Sequence, residues 1–257
     1  MSGTRRVVWF SCGAASALAA HMTLKKWRNK CEVALVYTDP GSEHEDNKRF
    51  LRECEEWLQH PVTVLKSRKY ADTWDVFEKT RWLVGPAGAR CTGELKKALR
   101  HEFQDIDRDV QIFGYTCEER TRAQRLMDNN PEIVAEYPLI DGNLTKADCL
   151  AAIRQAGIEL PEMYKLGYRN NNCIGCVKGQ SGYWNKIRRD FPDVFERMAG
   201  IERDIGAAIC KSYAGDGIRK KVFLDELPPD AGIYEAEPDI ECGILCQIAM
   251  QDETCDE

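Results

Sequence analysis

The chain has 257 residues, 43% of them hydrophobic, and 36 basic against 42 acidic side chains give a net charge of −6. This length and apolar content allow one large domain or a domain with an appendage, and the negative balance argues against a protein that coats nucleic acid through bulk charge. No apolar run approaches a membrane span. The first residues lead straight into a strand-like run, so no signal peptide is expected. Twelve cysteines without such a signal point away from a disulfide framework, toward metal or redox chemistry in a reducing cytoplasm.

Val7-Val8-Trp9-Phe10 reads as a buried strand, too short for a helix. Ser11-Cys12-Gly13-Ala14-Ala15-Ser16 follows, and then helical spacing through Ala17, Leu18, Ala20, His21, Leu24 and Trp27. A strand that turns through small residues into a helix leaves backbone N–H groups free for an anion, with the helix dipole in support. No Gly-Lys-Ser/Thr follows at the Walker spacing. Val33-Ala34-Leu35-Val36-Tyr37 is a second strand, closed by the turn residues Thr38-Asp39-Pro40-Gly41. Ser42 with Glu45 has capping-box spacing for a helix with Phe50, Leu51, Cys54, Trp57 and Leu58 on its apolar face. A third strand is expected at 62–65, helices at 73–83 and 92–103, a flexible loop at 85–88, a fourth strand at 110–114, and a helix at 118–127. Pro138-Leu139-Ile140-Asp141 reads as the fifth strand. The alternation predicts an α/β fold: an open, mostly parallel five-stranded sheet with helices on both faces, over residues 1–140.

Residues 141–257 read as a helical C-terminal region with metal-binding cysteines. Thr145 should start a helix that Gly157 ends, and 183–210 is helical. Asp225 to Glu241 holds seven acidic residues, three prolines and no basic residue, an irregular segment.

Three constellations carry chemistry. Cys173-Ile174-Gly175-Cys176 is a C-x-x-C in a Gly-containing loop, ambiguous alone between metal ligation and a redox dithiol. Cys242 and Cys246 form a second close pair, and the two pairs together predict one four-thiolate site holding an iron–sulfur cluster or zinc. The 65 residues between the pairs require them to meet by tertiary folding. Cys91, beside Arg90 at a helix start, is a further candidate ligand, a reactive thiolate or a buried small residue. After the fourth strand, Arg120, Arg122 and Arg125 sit where a phosphate or sulfate is clamped in an open sheet. Asp39 at the end of the second strand is a candidate for a ribose or amine, and Lys96 for a phosphate. The four histidines fit no H-E-x-x-H or triad pattern, and Cys12, Cys31, Cys54, Cys117, Cys149 and Cys210 read as core or loop residues.

In this order the pieces resemble the PAPS (phosphoadenosine phosphosulfate) reductase family of the PP-loop, or adenine nucleotide alpha hydrolase, superfamily. Ser11 to Ser16 resembles its PP-loop, Thr38 to Gly41 with Glu43 its Asp-Thr-Gly segment, and Arg90-Cys91-Thr92 with Lys96 its Cys-containing helix start. Gly114 to Arg122 resembles its G-x-R-x-x-E-S-x-R motif, Pro138 to Asp141 its Pro-Leu strand, and Arg169 with Asn172 to Cys176 its Cys-rich loop. Glu241-Cys242-Gly243 is similar to the C-terminal segment whose Cys attacks sulfur in the reductases. Four departures stand out: Thr116 replaces the motif's Arg, Arg120 its Ser, a single Cys91 the Cys pair of cluster-bearing members, and Leu245-Cys246 the usual His. This pattern is closer to the phage-type or sulfur-transfer members than to assimilatory reductases.

The resemblance implies an adenine nucleotide (PAPS, adenylyl sulfate or ATP) with its charged end at Ser11, Gly13, Ala14 and Ser16, assisted by Asp39, Lys96, Arg120 and Arg122. It implies sulfonucleotide reduction to sulfite, with Cys242 and Arg122 in the chemistry. It also favours [4Fe–4S] over zinc on Cys173, Cys176, Cys242 and Cys246, or with Cys91 as the fourth ligand and one of Cys242 and Cys246 released. A thiol reductant or sulfur donor would be the partner, and the oligomeric state stays open, a homodimer included. Two alternatives remain. One is an ATP pyrophosphatase-type sulfurtransferase that thiolates a nucleobase or nucleotide, with Mg²⁺ and a nucleic-acid partner. The other is a non-catalytic nucleotide-binding module.

Overall fold

The computed structural model describes residues 4–85, 88–213 and 219–240. The chain forms two compact units: Met1–Asp39, Glu43–Ser67 and Ala98–Asn171 make the first, and Pro40–Ser42, Arg68–Lys97 and Asn172–Glu257 the second.

The first unit is the expected open α/β fold. Its sheet contains β1 (Arg5–Phe10), β2 (Glu32–Thr38), β3 (Val62–Leu65), β4 (Asp109–Ile112) and β5 (Val134–Glu136). All neighbours pair parallel, in the order β3-β2-β1-β4-β5, with Val8 opposite both Leu35 and Ile112. The central strand has apolar residues toward both faces, because helices cover both. Val8 and Phe10 pack with Leu35 and Tyr37 against α1 (Ala14–Trp27) and α2 (Asn47–Leu58), through Ala17, Leu24, Phe50, Cys54 and Leu58. On the other face Trp9 meets Phe103 edge-on and donates to Gln111 Oε1 at 2.6 Å. Helices α3 (Arg120–Asp128) and α4 (Lys146–Gln155) complete the unit, and Thr145 caps α4 in a capping box with Asp148. Strand order reverses between β1 and β4, which creates a crevice beyond their carboxyl ends.

Two local expectations are corrected. Pro138–Asp141 is a short helix with Pro138 at its first turn, and the fifth strand is Val134–Glu136 just before it. Proline fits a helix start but removes a ladder donor from a strand. Ser42 does not cap α2, whose N-cap is Asp46; the Ser42 hydroxyl pairs instead with Thr73 Oγ1 at 2.7 Å.

The second unit is mainly helical, with helices Thr73–Thr80, Ser181–Asp190 and Pro192–Ile205. Trp184, Ile187 and Met198 are fully buried within it. Of the expected flexible loop at 85–88, Gly85 and Gly88 pair antiparallel, as do Val84 and Ala89, and residues 86–87 lie outside the described residues. The helical expectation over 183–210 ends early. Gly206 takes a left-handed φ of 76° after Ile205, and Cys210–Tyr213 pairs antiparallel with Arg219–Val222. Among the described residues no helix is long and apolar enough to cross a membrane.

Glu202 ties this hairpin to its helix. Its buried carboxyl accepts from the backbone N–H of Ile209 at 2.5 Å and of Leu224 at 2.6 Å. Burial pushes it from an ordinary 4.5 up to about 7. The native state therefore holds this proton over a range where the unfolded chain has lost it. Stability from this group is fullest below pH 4.5, declines as pH rises to about 7, and is flat above. Glu202→Gln should remove about 1–3 kcal/mol of that decline. Denaturant unfolding at pH 5 and pH 8 measures it, and equal slopes in the two proteins would place the pH dependence elsewhere.

Candidate nucleotide site and candidate metal loop

The Ser11-to-Ser16 turn leaves β1 at the strand-order reversal. Cys12 carries a left-handed φ of 53°, and Gly13 is the N-cap of α1. Gly13 has no side chain to cap with, so the orphan N–H groups of the helix start must find partners elsewhere. The turn is braced internally. Ser16 Oγ donates to the Gly13 carbonyl at 2.9 Å and accepts from the Ser11 N–H at 3.0 Å, with Ser11 Oγ at 3.2 Å. Ser16 and Ala14 are buried, while Ser11 is exposed.

A second brace was not legible in the sequence. Asn171 Nδ2 donates to the Cys12 carbonyl and to Asn47 Oδ1, both at 2.7 Å. Asn47 Nδ2 donates to Glu43 Oε2 at 2.8 Å, and Tyr37 Oη donates to the same oxygen at 2.7 Å. This chain of polar groups holds the left-handed Cys12 from beneath. Tyr164 adds a further contact: its phenol oxygen accepts from the backbone N–H groups of Ala14 and Asn171. The only sequence signal for any of this was the asparagine run before the C-x-x-C, and it carried no direction.

Gly114, just past β4, meets the start of α1 at backbone distance. A Cβ there would lie 2.8 Å from Ser16 N and Cα, so only glycine fits. Beyond it Thr116 and Glu119 form a capping box, with Glu119 Oε2 3.0 Å from the Thr116 N–H. Thr116, standing where the resembled motif has Arg, is thus a buried helix cap. Arg122 donates to Glu119 Oε1 at 2.5 Å and lays its guanidinium 4.3 Å from the centroid of the Tyr115 ring. Arg120 turns toward the short helix at 138–141 and donates to the Ile140 carbonyl at 3.1 Å. Asp39 ends β2, paired with Lys66 at 2.8 Å. Ser11, Gly13, Ala14, Ser16, Asp39, Arg120 and Arg122 all belong to the first unit.

The Arg122 guanidinium is preoriented by its carboxylate and its ring, so it would meet an anion at little cost in side-chain order. Arg122→Ala should weaken nucleotide binding by about 1.5–3 kcal/mol, the usual worth of a hydrogen bond to a charged group. Calorimetric titration reads it. A lower melting temperature with unchanged affinity would make Arg122 only a partner of Glu119 and Tyr115.

Lys96, Cys91 and the C-x-x-C belong to the second unit. Lys96 is buried on a π-helical turn, Gly93–Lys97, and Cys91 is half-buried in the short helix before it. Cys173 is half-buried and Cys176 buried. Their loop is built around Tyr183. The Gly175 and Cys176 N–H groups donate to its phenol oxygen at 3.1 and 2.9 Å, and burial raises that phenol well above its ordinary range. Ile174 N–H donates to the Ser42 carbonyl at 2.9 Å. Gly175 has φ 77°, and a Cβ there would lie 2.7 Å from Val194 Cγ1. The two thiols are thus held on a fixed loop and fit as half of a thiolate site. Among the described residues no cluster of three or more potential ligands forms, so Cys91 does not complete such a group with them. Cys242 and Cys246, expected as the other half, lie outside the described residues. Burial pushes Cys54, Cys149 and Cys210 up to about 12 and Cys12 well above its usual range, so these four read as unreactive core thiols.

The family profile described as phosphoadenosine phosphosulfate reductase domain matches residues 5–181. Among solved structures, the chain is similar to phosphoadenylyl-sulfate (PAPS) reductase from Candida auris, a phosphate complex: 13% identity over 65% of this chain and 81% of that one, with a TM-score of 0.45. It is also similar to the U34-tRNA thiolase NcsA from Methanococcus maripaludis with its [4Fe-4S] cluster: 10% identity over 80% of this chain and 74% of that one, with a TM-score of 0.45. No curated protein matches the chain.

Proposed function

As the chain belongs to the phosphoadenosine phosphosulfate reductase domain family, matched over residues 5–181, we propose that it is an enzyme that binds an adenine nucleotide and reduces its sulfonyl group to sulfite. The observation that carries this reading is the braced turn of small residues around Gly13 at the strand-order reversal, with Arg122 preoriented in the same unit. The nucleotide's charged end meets the first-turn N–H groups of α1, with the Ser11 hydroxyl at the exposed rim. Asp39 and Lys96 are assigned to the ribose side and to a phosphate, and Arg120 supports the loop at Ile140.

The chemistry follows from a thiolate nucleophile. Cys242 attacks the sulfonyl sulfur; an S–S bond forms, the S–O bond to the nucleotide phosphate breaks, and the phosphate leaves as an anion held by Arg122 and the helix start. A second thiolate, from a dithiol reductant, then attacks the Cys242 sulfur of the thiosulfonate. Sulfite leaves with the electron pair, and a disulfide forms. Cys173, Cys176, Cys242 and Cys246 are the residues that would hold a thiolate-bound metal group; Cys242 takes the attacking role where Cys91 replaces it as a ligand. Such a group would cross-link the C-x-x-C loop to the C-terminal cysteines and hold their thiolates in place.

Anaerobic incubation with PAPS, adenylyl sulfate and ATP tests the reading. Sulfite release in the presence of dithiol supports reduction. Pyrophosphate release from ATP would replace it with the sulfurtransferase alternative, and binding without turnover with a nucleotide-binding module.

A further inference from the structure

Helix α1 is 14 residues long, a rise of about 21 Å, so its last turn lies at the opposite end of the sheet from the phosphate loop. There the ends of α1 and α2 border a cavity of about 470 Å³. Leu24 and Leu58 contribute apolar surface. His21 and Trp57 form one wall, stacked at 4.5 Å and only 5° from parallel. The rim carries Lys25, Lys26, Arg28 and Lys30, all exposed, and no acidic residue lines the cavity. Among the described residues none of these four cations pairs with a carboxylate, in a chain whose net charge is −6.

Cations in the last turn of a helix offset its dipole, and Lys25 and Lys26 suffice for that. The dipole does not account for Lys30 beyond the helix end, for the aromatic wall, or for an opening of ligand size. Arg28 is occupied otherwise, since it donates to the Leu58 and Gln59 carbonyls and so covers the negative end of α2. With those carbonyls covered, the cleft presents a rim of cations beside the His21–Trp57 wall, Lys26 and Lys30 resting 5.0 and 5.3 Å from the Trp27 ring centroid with their charge otherwise unpaired by carboxylates among the described residues. A rim of ammonium groups suits a phosphate, and an aromatic wall suits a planar base, whichever base it is. The volume is that of an ordinary small-ligand site.

We propose that this cleft is a second anion site, independent of the phosphate loop, that takes a nucleoside phosphate, with the base against the His21–Trp57 wall and the phosphate among Lys25, Lys26 and Lys30. The ligand is a free mononucleotide or the phosphorylated end of a single strand; the recognised chemistry is the same.

The test is histidine-selective NMR of the whole protein, with the His21 signal assigned through His21→Gln. Adenosine monophosphate, a 5′-phosphorylated single-stranded tetranucleotide, adenosine and inorganic phosphate are added in turn. Burial first, then Lys25 and Arg28, hold His21 below its ordinary titration range; a bound phosphate should move that midpoint upward. The double variant Lys25→Glu, Lys30→Glu should lose at least tenfold in affinity, and a Gly13→Trp variant should keep it. Tighter binding of the tetranucleotide than of the mononucleotide assigns the ligand to a strand end, and the reverse assigns it to a free nucleotide; both support the site. The proposal is overturned if His21 ignores both at millimolar concentration, if inorganic phosphate binds as well as the mononucleotide, or if Gly13→Trp abolishes the response. None of these outcomes bears on sulfite release at the other end of α1.

Discussion

Gly13→Trp should abolish nucleotide binding at the phosphate loop, a loss there of at least about 100-fold, or roughly 2.7 kcal/mol, while the protein keeps its fold. The backbone at this position has φ −110° and ψ 158°, a conformation open to any residue. A Cβ would meet the Tyr164 hydroxyl at 3.3 Å and Ser11 Oγ at 3.7 Å. The cost to folding is the loss of the Tyr164 bonds to the Ala14 and Asn171 N–H groups, about 1–3 kcal/mol, which lowers the melting temperature without unfolding the chain. The cost to binding is large, because an indole at the N-cap fills the space through which an anion reaches the first-turn N–H groups. Isothermal titration with ATP and PAPS beside a thermal melt reads both quantities. Undiminished affinity would show that the nucleotide does not enter at this turn. Gly114 is the matched control: substitution there drives a Cβ into the Ser16 backbone, so the fold itself should suffer.

The second large effect concerns the metal. Cys173→Ser, Cys176→Ser, Cys242→Ser and Cys246→Ser should each lose most of the bound metal, and Cys91→Ser should retain it. Four thiolates select zinc or iron–sulfur over harder cations, and two of the four already stand on a loop fixed by Tyr183. Removing one soft ligand from four leaves an incomplete site. Anaerobic preparation, iron and zinc analysis and an absorbance spectrum of each variant decide the assignment. Metal kept in Cys242→Ser with activity lost would make Cys242 the nucleophile alone. Metal lost in Cys91→Ser instead would make Cys91 the ligand that completes the C-x-x-C.

The sheet was legible because its strands are short apolar runs, each followed by helical spacing; parallel strands covered on both faces leave little else that such a run can be. The fifth strand was misplaced by four residues, since Val134-Ala135-Glu136 is too short and too polar to stand out beside Pro138-Leu139-Ile140. The hairpin that begins at Cys210 was absorbed into the preceding helix, because helix Pro192–Ile205 ends at a glycine that the periodicity alone did not weigh. In the nucleotide loop the small residues announced themselves, as their chemistry depends on what they lack. The brace beneath it did not. Asn171 reaches Cys12 across 159 residues and Asn47 across 124, and no local pattern encodes such a pairing. Arg120 and Arg122 looked equivalent two residues apart, yet the helix sends one to the Ile140 carbonyl and the other onto Tyr115.

The bare contact of Gly114 with Ser16 has a consequence for how this crevice can change over evolutionary time. Two backbones that touch without side chains between them act like the closed jaws of a calliper: the spacing between the β1 turn and the segment that bears Arg122 is set by main-chain atoms. Neither jaw can drift to suit a larger or smaller substrate without breaking the other. New preferences must come from exchanging side chains rather than from shifting this frame. In this chain the frame is main chain against main chain, and the positions free to discriminate between ligands are those whose side chains do not set that spacing.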